Sequence, residues 1–217
     1  MSITVEKFAN QNEYCKTEAY QSWVGNWKPK DKSIDVWGNT SADIFHNWHK
    51  TGHVTPREYT ATRYSSKLIF HLLEQLGLEN KIPKVDIGCG CNCFSKCYPF
   101  IWGVDPKHPN SHEKLTPQWW EENWGKWPIA YAINSMHFVS QSQITHNIKK
   151  MVGILSSNGK AFVSLNRARI KDNSGSEYNE DVLLDNILKV QNITRLIWIE
   201  DPHNEPGDGN VWIYLKK

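Results

Sequence analysis

One stretch constrains this chain more than any other: Lys84-Val85-Asp86-Ile87-Gly88-Cys89-Gly90-Cys91-Asn92, an apolar run that stops abruptly in alternating glycines and small residues. It reads as a buried strand feeding a ligand-binding turn. Glycine tolerates the positive φ that a tight turn demands, and without a Cβ it leaves backbone N–H groups free to face a bound nucleotide. An acid two residues before the first glycine completes the pattern.

The segments around this turn alternate between the two periodicities. Ser65 to Leu78 has helical spacing through Leu68, Ile69, Leu72, Leu73 and Leu76, with Gly77 near its end. Beyond the turn only about ten residues pass before a second apolar segment, Phe100-Ile101-Trp102-Gly103-Val104-Asp105, which again ends in an acid. Pro99 leaves room for only a stubby helix between them. Thr116-Pro117-Gln118-Trp119 reads as a helix start, with threonine capping and proline in the first turn. Pro128 to Asn134 is a third strand, Gln141 to Leu155 a helix closed by Asn158-Gly159, and Lys160 to Asn166 a fourth strand. A helix from about Glu177 to Val190 carries Val182, Leu183, Ile187 and Leu188 inward. Two alternating strands follow, Ile193 to Glu200 and Asn210 to Leu215, joined by a long turn-rich loop. Strands alternating with helices and finishing in a hairpin imply an α/β protein, its sheet mostly parallel with one antiparallel strand at the C-terminal end. Residues 1–64 read as a Trp-rich N-terminal extension, a lid or an interaction segment, ahead of the domain at 65–217.

Composition excludes several classes of function. A formal charge of +2 on 217 residues gives no field for a polyanion, so nucleic acid is an unlikely partner. The N-terminus has no apolar leader and no run is long enough to span a bilayer, which implies a soluble cytoplasmic protein. Five cysteines, four of them between Cys89 and Cys97, do not form the dispersed framework of a secreted protein. Cys89, Cys91, Cys93 and Cys97 also lack the paired spacing of zinc or iron–sulfur sites, and His46, His49 and His53 lack acidic or thiolate companions. No metal is expected. Arg167, Arg169 and Lys171 form a small basic patch, a solvated face or a contact for an anionic substrate.

The ordered set of motifs over residues 65–217 resembles the class I S-adenosylmethionine-dependent methyltransferase family. In that family an Asp-x-Gly-x-Gly-x-Gly turn cradles the methionine part and ribose of the cofactor, and an acid ending the next strand binds the ribose hydroxyls. The resemblance implies a Rossmann-like three-layer sandwich, with Asp86, Gly88 and Gly90 in the first motif and Asp105, nineteen residues on, as the ribose acid. One carboxylate can accept both vicinal hydroxyls, which is the chemical reason for an acid there. A dinucleotide site would instead need a third glycine opening a full helix to hold a pyrophosphate, and no such helix fits after Gly90.

The chain departs from the family pattern in three places. Asn92 stands where a third glycine usually falls, although Asn tolerates a left-handed backbone. The first crossover is short, and the interval from Asp105 to Ile129 cannot hold helix, strand and helix, so one edge strand is expected to be missing or irregular. Adenine recognition then falls to Trp119, Trp120 or a backbone amide. Asn134-Ser135-Met136-His137-Phe138 occupies the position beside the transferred methyl group, and the resemblance makes Asn134 a cofactor and catalytic contact. The prolines and terminal aromatic of the amino-methylating nucleic-acid enzymes are absent. His137 is the candidate general base, because an imidazole titrates near neutral pH. The expected activity is methyl transfer from S-adenosylmethionine to a small-molecule acceptor. The alternatives are a methyltransferase-like protein that binds or assembles without catalysis, with a protein partner on the extension, and an enzyme that cleaves the cofactor without transferring the methyl.

Overall fold

The computed structural model describes residues 2–26, 71–72, 75–77, 80–90, 92, 95, 100–136, 139–166, 170, 179–202 and 209–217. Eight strands form one sheet: β1 (Thr4–Phe8), β2 (Lys84–Ile87), β3 (Ile101–Asp105), β4 (Glu113–Lys114), β5 (Trp127–Ile133), β6 (Leu155–Asn166), β7 (Arg195–Pro202) and β8 (Gly209–Lys216). Their order is β1-β7-β8-β6-β5-β2-β3-β4. All neighbours pair in parallel except β8, which runs antiparallel to both β6 and β7. The expected C-terminal hairpin is therefore present. Chain order reverses between β2 and β5, and in open α/β sheets ligands bind at the carboxyl ends of the strands where such a reversal opens a crevice.

The edge beyond β3 is reduced rather than absent. β4 has only two residues, paired Val104 to Glu113 and Asp105 to Lys114, and β3 reaches it through a short loop with no intervening helix. At the opposite edge the structure adds a strand that the sequence pattern does not suggest. β1 lies parallel to β7, and its residues are largely solvated. Charge pairing helps hold it: Arg195 Nη2 lies 2.7 Å from Glu6, and Lys7 Nζ contacts both Asp181 at 3.2 Å and Glu200 at 3.4 Å.

Helices cover both faces. α1 (Gln11–Tyr14) and α2 (Glu18–Asn26) lie in the N-terminal segment, and α3 (Pro117–Glu122), α4 (Gln141–Ile154) and α5 (Glu180–Leu188) follow later. The caps explain the starts. Thr116 Oγ1 accepts from Trp119 N at 3.1 Å, Ser140 Oγ from Gln143 N, and Asn179 Oδ1 from Val182 N at 3.0 Å. With α5 capped at Asn179, its inward stripe is Leu183, Leu184 and Ile187, which leaves Val182 exposed instead of buried as its spacing suggests. α4 passes directly into β6 at Leu155. Asn158, with φ of 61°, lies inside β6 rather than between helix and strand, where β6 and β5 shift register.

Two apolar layers result. One packs α3, α4 and α5 against Val85, Ile87, Val104, Ala130 and Val163. The other sets Tyr14, Tyr20 and Leu72 against Ile129, Tyr131, Phe162, Trp212 and Tyr214. Trp198 and Trp212 are fully buried, and Trp119 and Trp120 belong to the first layer. Much of the chain's unusual tryptophan content is thus core. Among the described residues, no helix is long and apolar enough to cross a membrane.

Candidate cofactor-binding site

The site grows from the carboxyl ends of β2, β3 and β5. β2 carries Asp86 into the interior, where the side chain retains only 3% of its exposure. Its carboxyl group accepts no hydrogen bond among the described residues. Burial, and then the neighbouring Asp105 carboxylate, push its pKa up from 3.8 to about 8. The acid is therefore protonated at neutral pH.

Immediately after β2 the chain turns through two left-handed glycines, Gly88 at φ 72° and Gly90 at φ 53°. They differ in what surrounds them. A Cβ on Gly88 would lie 2.5 Å from Ser135 Cβ, because the loop after β5 packs directly on the turn and Ser135 Oγ donates to Ile87 O at 2.6 Å. A Cβ on Gly90 would meet no atom of the described residues within 4 Å. Gly88 thus locks two loops together, whereas Gly90 faces open space that a ligand can occupy.

Asp105, at the end of β3, is held by backbone donors. Its Oδ1 accepts from Lys107 N and His108 N, each at 2.8 Å, and its Oδ2 accepts from Gly90 N at 3.0 Å. The two acids and two glycines singled out in the sequence are therefore one connected unit. A carboxylate offers about four lone-pair sites, so three N–H groups orient Asp105 and leave it acceptor capacity. From it an open groove of about 510 Å³ runs past Pro106, His108, His112 and Lys114.

Asn92 completes the turn in the left-handed region, with φ of 59°. It does more than tolerate that backbone. Its amide Nδ2 donates to Asn110 O at 3.0 Å and lies 3.3 Å from His112 Nδ1, which also accepts from Gly103 N at 2.9 Å. An Nδ1 that accepts from a backbone N–H places the His112 proton on Nε2. Trp102 stacks on His112 with ring centroids 4.4 Å apart. Gly103 makes room for this arrangement, since a Cβ there would come within 2.0 Å of Asn92 Oδ1. Sequence reasoning missed Gly103, Ser135 and His112 as positioning residues. Glycine inside an apolar strand was the available signal, because it marks a close approach.

At the end of β5, Asn134 is left-handed at φ 50° and bound to β6: its N donates to Ser164 O at 3.0 Å and its Oδ1 accepts from Ser164 Oγ at 2.9 Å. The amide NH2 is its remaining donor. Trp119 and Trp120 belong to α3 and are buried, with Trp119 Nε1 donating to Glu113, so the groove beside Asp105 is lined by the segment from Asp105 to Lys114 instead. His137, Cys91, Cys93, Cys97, the histidines at 46, 49 and 53, and the basic residues Arg167, Arg169 and Lys171 lie outside the described residues. Among the described residues no three His, Cys, Asp or Glu side chains group as a metal site.

No protein-family model and no curated protein matches the chain. Solved structures do. An S-adenosylmethionine-dependent methyltransferase from Archaeoglobus fulgidus superposes with a TM-score of 0.51 over 70% of this chain and 94% of its own, at 11% identity. Its fold is that of the S-adenosylmethionine-dependent methyltransferases. A magnesium protoporphyrin IX methyltransferase from Synechocystis PCC 6803, solved with bound S-adenosylmethionine, matches at 0.50 and 10% identity over 88% of this chain and 98% of that one. A third such enzyme, from Clostridium acetobutylicum, matches at 0.50 and 10% identity over 82% and 99%. At these identities the likeness concerns the fold.

Proposed function

We propose that the protein binds S-adenosylmethionine at the turn after β2 and transfers its methyl group to a small-molecule acceptor. The observation that carries this reading is the joined unit of Asp86, Gly88, Gly90 and Asp105 on a methyltransferase fold, with, among the described residues, an open position over Gly90 and a buried acid that has no donor. These features fit the cofactor. Gly90 admits close backbone approach, Asp105 accepts ribose hydroxyls, and Asp86 faces a positively charged group. Asn134 offers its amide NH2 from the β5 loop, and His137 in the same loop serves as general base where the acceptor must lose a proton. When bound, the cofactor supplies a methyl group activated by a sulfonium. The chain's contribution is alignment, which removes much of the entropic barrier to displacement.

Titration calorimetry with S-adenosylmethionine tests the cofactor claim. Binding by the wild type, weakened in Asp105→Asn with the fold intact, is the expected result, and a folded wild type that does not bind would sink it. The shortened edge at β4 favours a second reading, a methyltransferase-like binding or assembly protein that uses the N-terminal segment as its contact surface. Cofactor binding without turnover on any small acceptor, together with a stable protein partner lost on removal of residues 27–64, which spares β1 and the core residues Tyr14 and Tyr20, would select that reading.

A further inference from the structure

Asp86 is built differently from Asp105, although both end neighbouring strands. Asp105 is ringed by three backbone N–H donors. Asp86 is almost completely buried and, among the described residues, has no donor. Among the described residues, the groups around it supply no positive charge. On β3 its register partner is Gly103, followed on the same face by the Asp105 carboxylate. On β5 its partner is Tyr131, a buried phenol. In the following turn the Cys89 thiol is directed to Gly90 O. On β2 itself the ammonium of Lys84 is turned towards the amino end of the sheet, where it donates to Asn80 O, Asn80 Oδ1 and Ile82 O. A buried carboxylate beside a second carboxylate, without donor or cation, is unfavourable, and the neutral acid is the form this environment accepts.

We propose that Asp86 is a proton-exchanging anchor for the donor's positive charge: it holds a proton in the ligand-free protein and releases it to solvent when the cationic part of S-adenosylmethionine docks beside it. The O–H bond of the acid breaks, its electron pair stays on the carboxylate, and the proton passes to buffer. The ligand thus completes an ion pair that the free protein cannot form. This rests on the cofactor reading above. It also gives the site a preference that geometry alone does not supply, because a neutral adenosine compound gains nothing from the ionised form. The raised pKa of Asp86 agrees with the arrangement.

Three consequences separate this from a passive buried acid. Calorimetry of S-adenosylmethionine binding at pH 7 in phosphate and in Tris should give different apparent enthalpies, corresponding to release of roughly 0.9 proton for a group that titrates near 8. Affinity should rise about tenfold between pH 6 and pH 7, below the range in which the ligand's own amino group titrates. The infrared band of a protonated carboxyl should be present in the free protein, absent from Asp86→Asn, and lost from the wild type on adding the ligand. Because the wild-type buffer series and the infrared comparison stand by themselves, the proposal stays testable even if Asp86→Asn binds weakly. Binding with a buffer-independent enthalpy and a flat pH profile would overturn the proton exchange while leaving the cofactor reading intact. A folded wild type that fails to bind at any pH would overturn both.

Discussion

Replacing Asp86 by Asn separates two buried titrations that oppose one another in the ligand-free protein. Asp86 has its pKa raised from 3.8 to about 8 by burial and by Asp105, and His71 has its pKa lowered from 6.5 to about 4 by burial. His71 is enclosed by Tyr14, Tyr20 and Trp23, and among the described residues only the Tyr14 hydroxyl lies within hydrogen-bond reach of Nε2, at 3.2 Å. The signs differ. A raised carboxyl pKa means that the folded state holds the proton more tightly, so the stability it contributes is complete below pH 3.8 and is lost as pH climbs towards 8. A lowered imidazole pKa means that the unfolded state takes the proton first, so stability is complete above pH 6.5 and is lost as pH falls towards 4.

Each of these changes amounts to about 1.4 kcal/mol per pH unit while it acts, so Asp86 alone spans on the order of 5 kcal/mol. Between pH 4 and 6.5 the two slopes cancel. Above pH 6.5 only Asp86 acts, and the wild type is expected to lose about 2 kcal/mol by pH 8. In Asp86→Asn the falling component is gone: the variant should gain about 3 kcal/mol from pH 4 to 6.5 and then stay level. Urea denaturation of both proteins at half-unit pH steps measures this, and all other titrations cancel in the difference. A variant whose curve runs parallel to the wild type would refute the claim that Asp86 is a neutral acid in the fold.

Three further predictions follow from the turn. Gly88→Ala must accept both a left-handed φ and contact with Ser135, and should lose about 2–4 kcal/mol in urea denaturation, whereas Gly90→Ala meets only the backbone strain and should lose about 1–2 kcal/mol. Although it is the more stable variant, Gly90→Ala should bind S-adenosylmethionine more weakly than the wild type in calorimetry, because its methyl group fills the open position. Asn92→Ala loses the amide that joins the turn to Asn110 and His112 and keeps the left-handed strain, so a loss of about 2–3 kcal/mol is expected; Asn92→Gly relieves the strain and should recover about 1 kcal/mol of it. Asp105→Asn removes the charge that Gly90 N–H and, in the proposed binding mode, the ribose hydroxyls share, and should weaken S-adenosylmethionine roughly 10–100-fold by calorimetry.

What the sequence makes legible divides by range of interaction. The turn after β2 and the acid after β3 can be read directly, because a left-handed backbone limits the residue types it accepts and because strand ends announce themselves by the change from apolar to small or acidic residues. β1 cannot be read in that way. Thr4-Val5-Glu6-Lys7-Phe8 buries little and is positioned by pairing with residues about 190 further along, including Arg195 on Glu6, so its strand character lies in its partner. β4 is too short to carry a pattern. The same division runs through the site itself. Asn92 can be recognised as a residue suited to a left-handed turn, yet its larger role, holding His112 against Trp102 and Gly103, depends on three segments meeting in space. Asp86 shows the limit most clearly. Its place beside two glycines reads as a binding turn in the sequence, and the same local sequence would suit an ionised acid. Only the fold, which among the described residues gives it no donor and sets it beside a second carboxylate, turns that residue into the proton-holding acid proposed above.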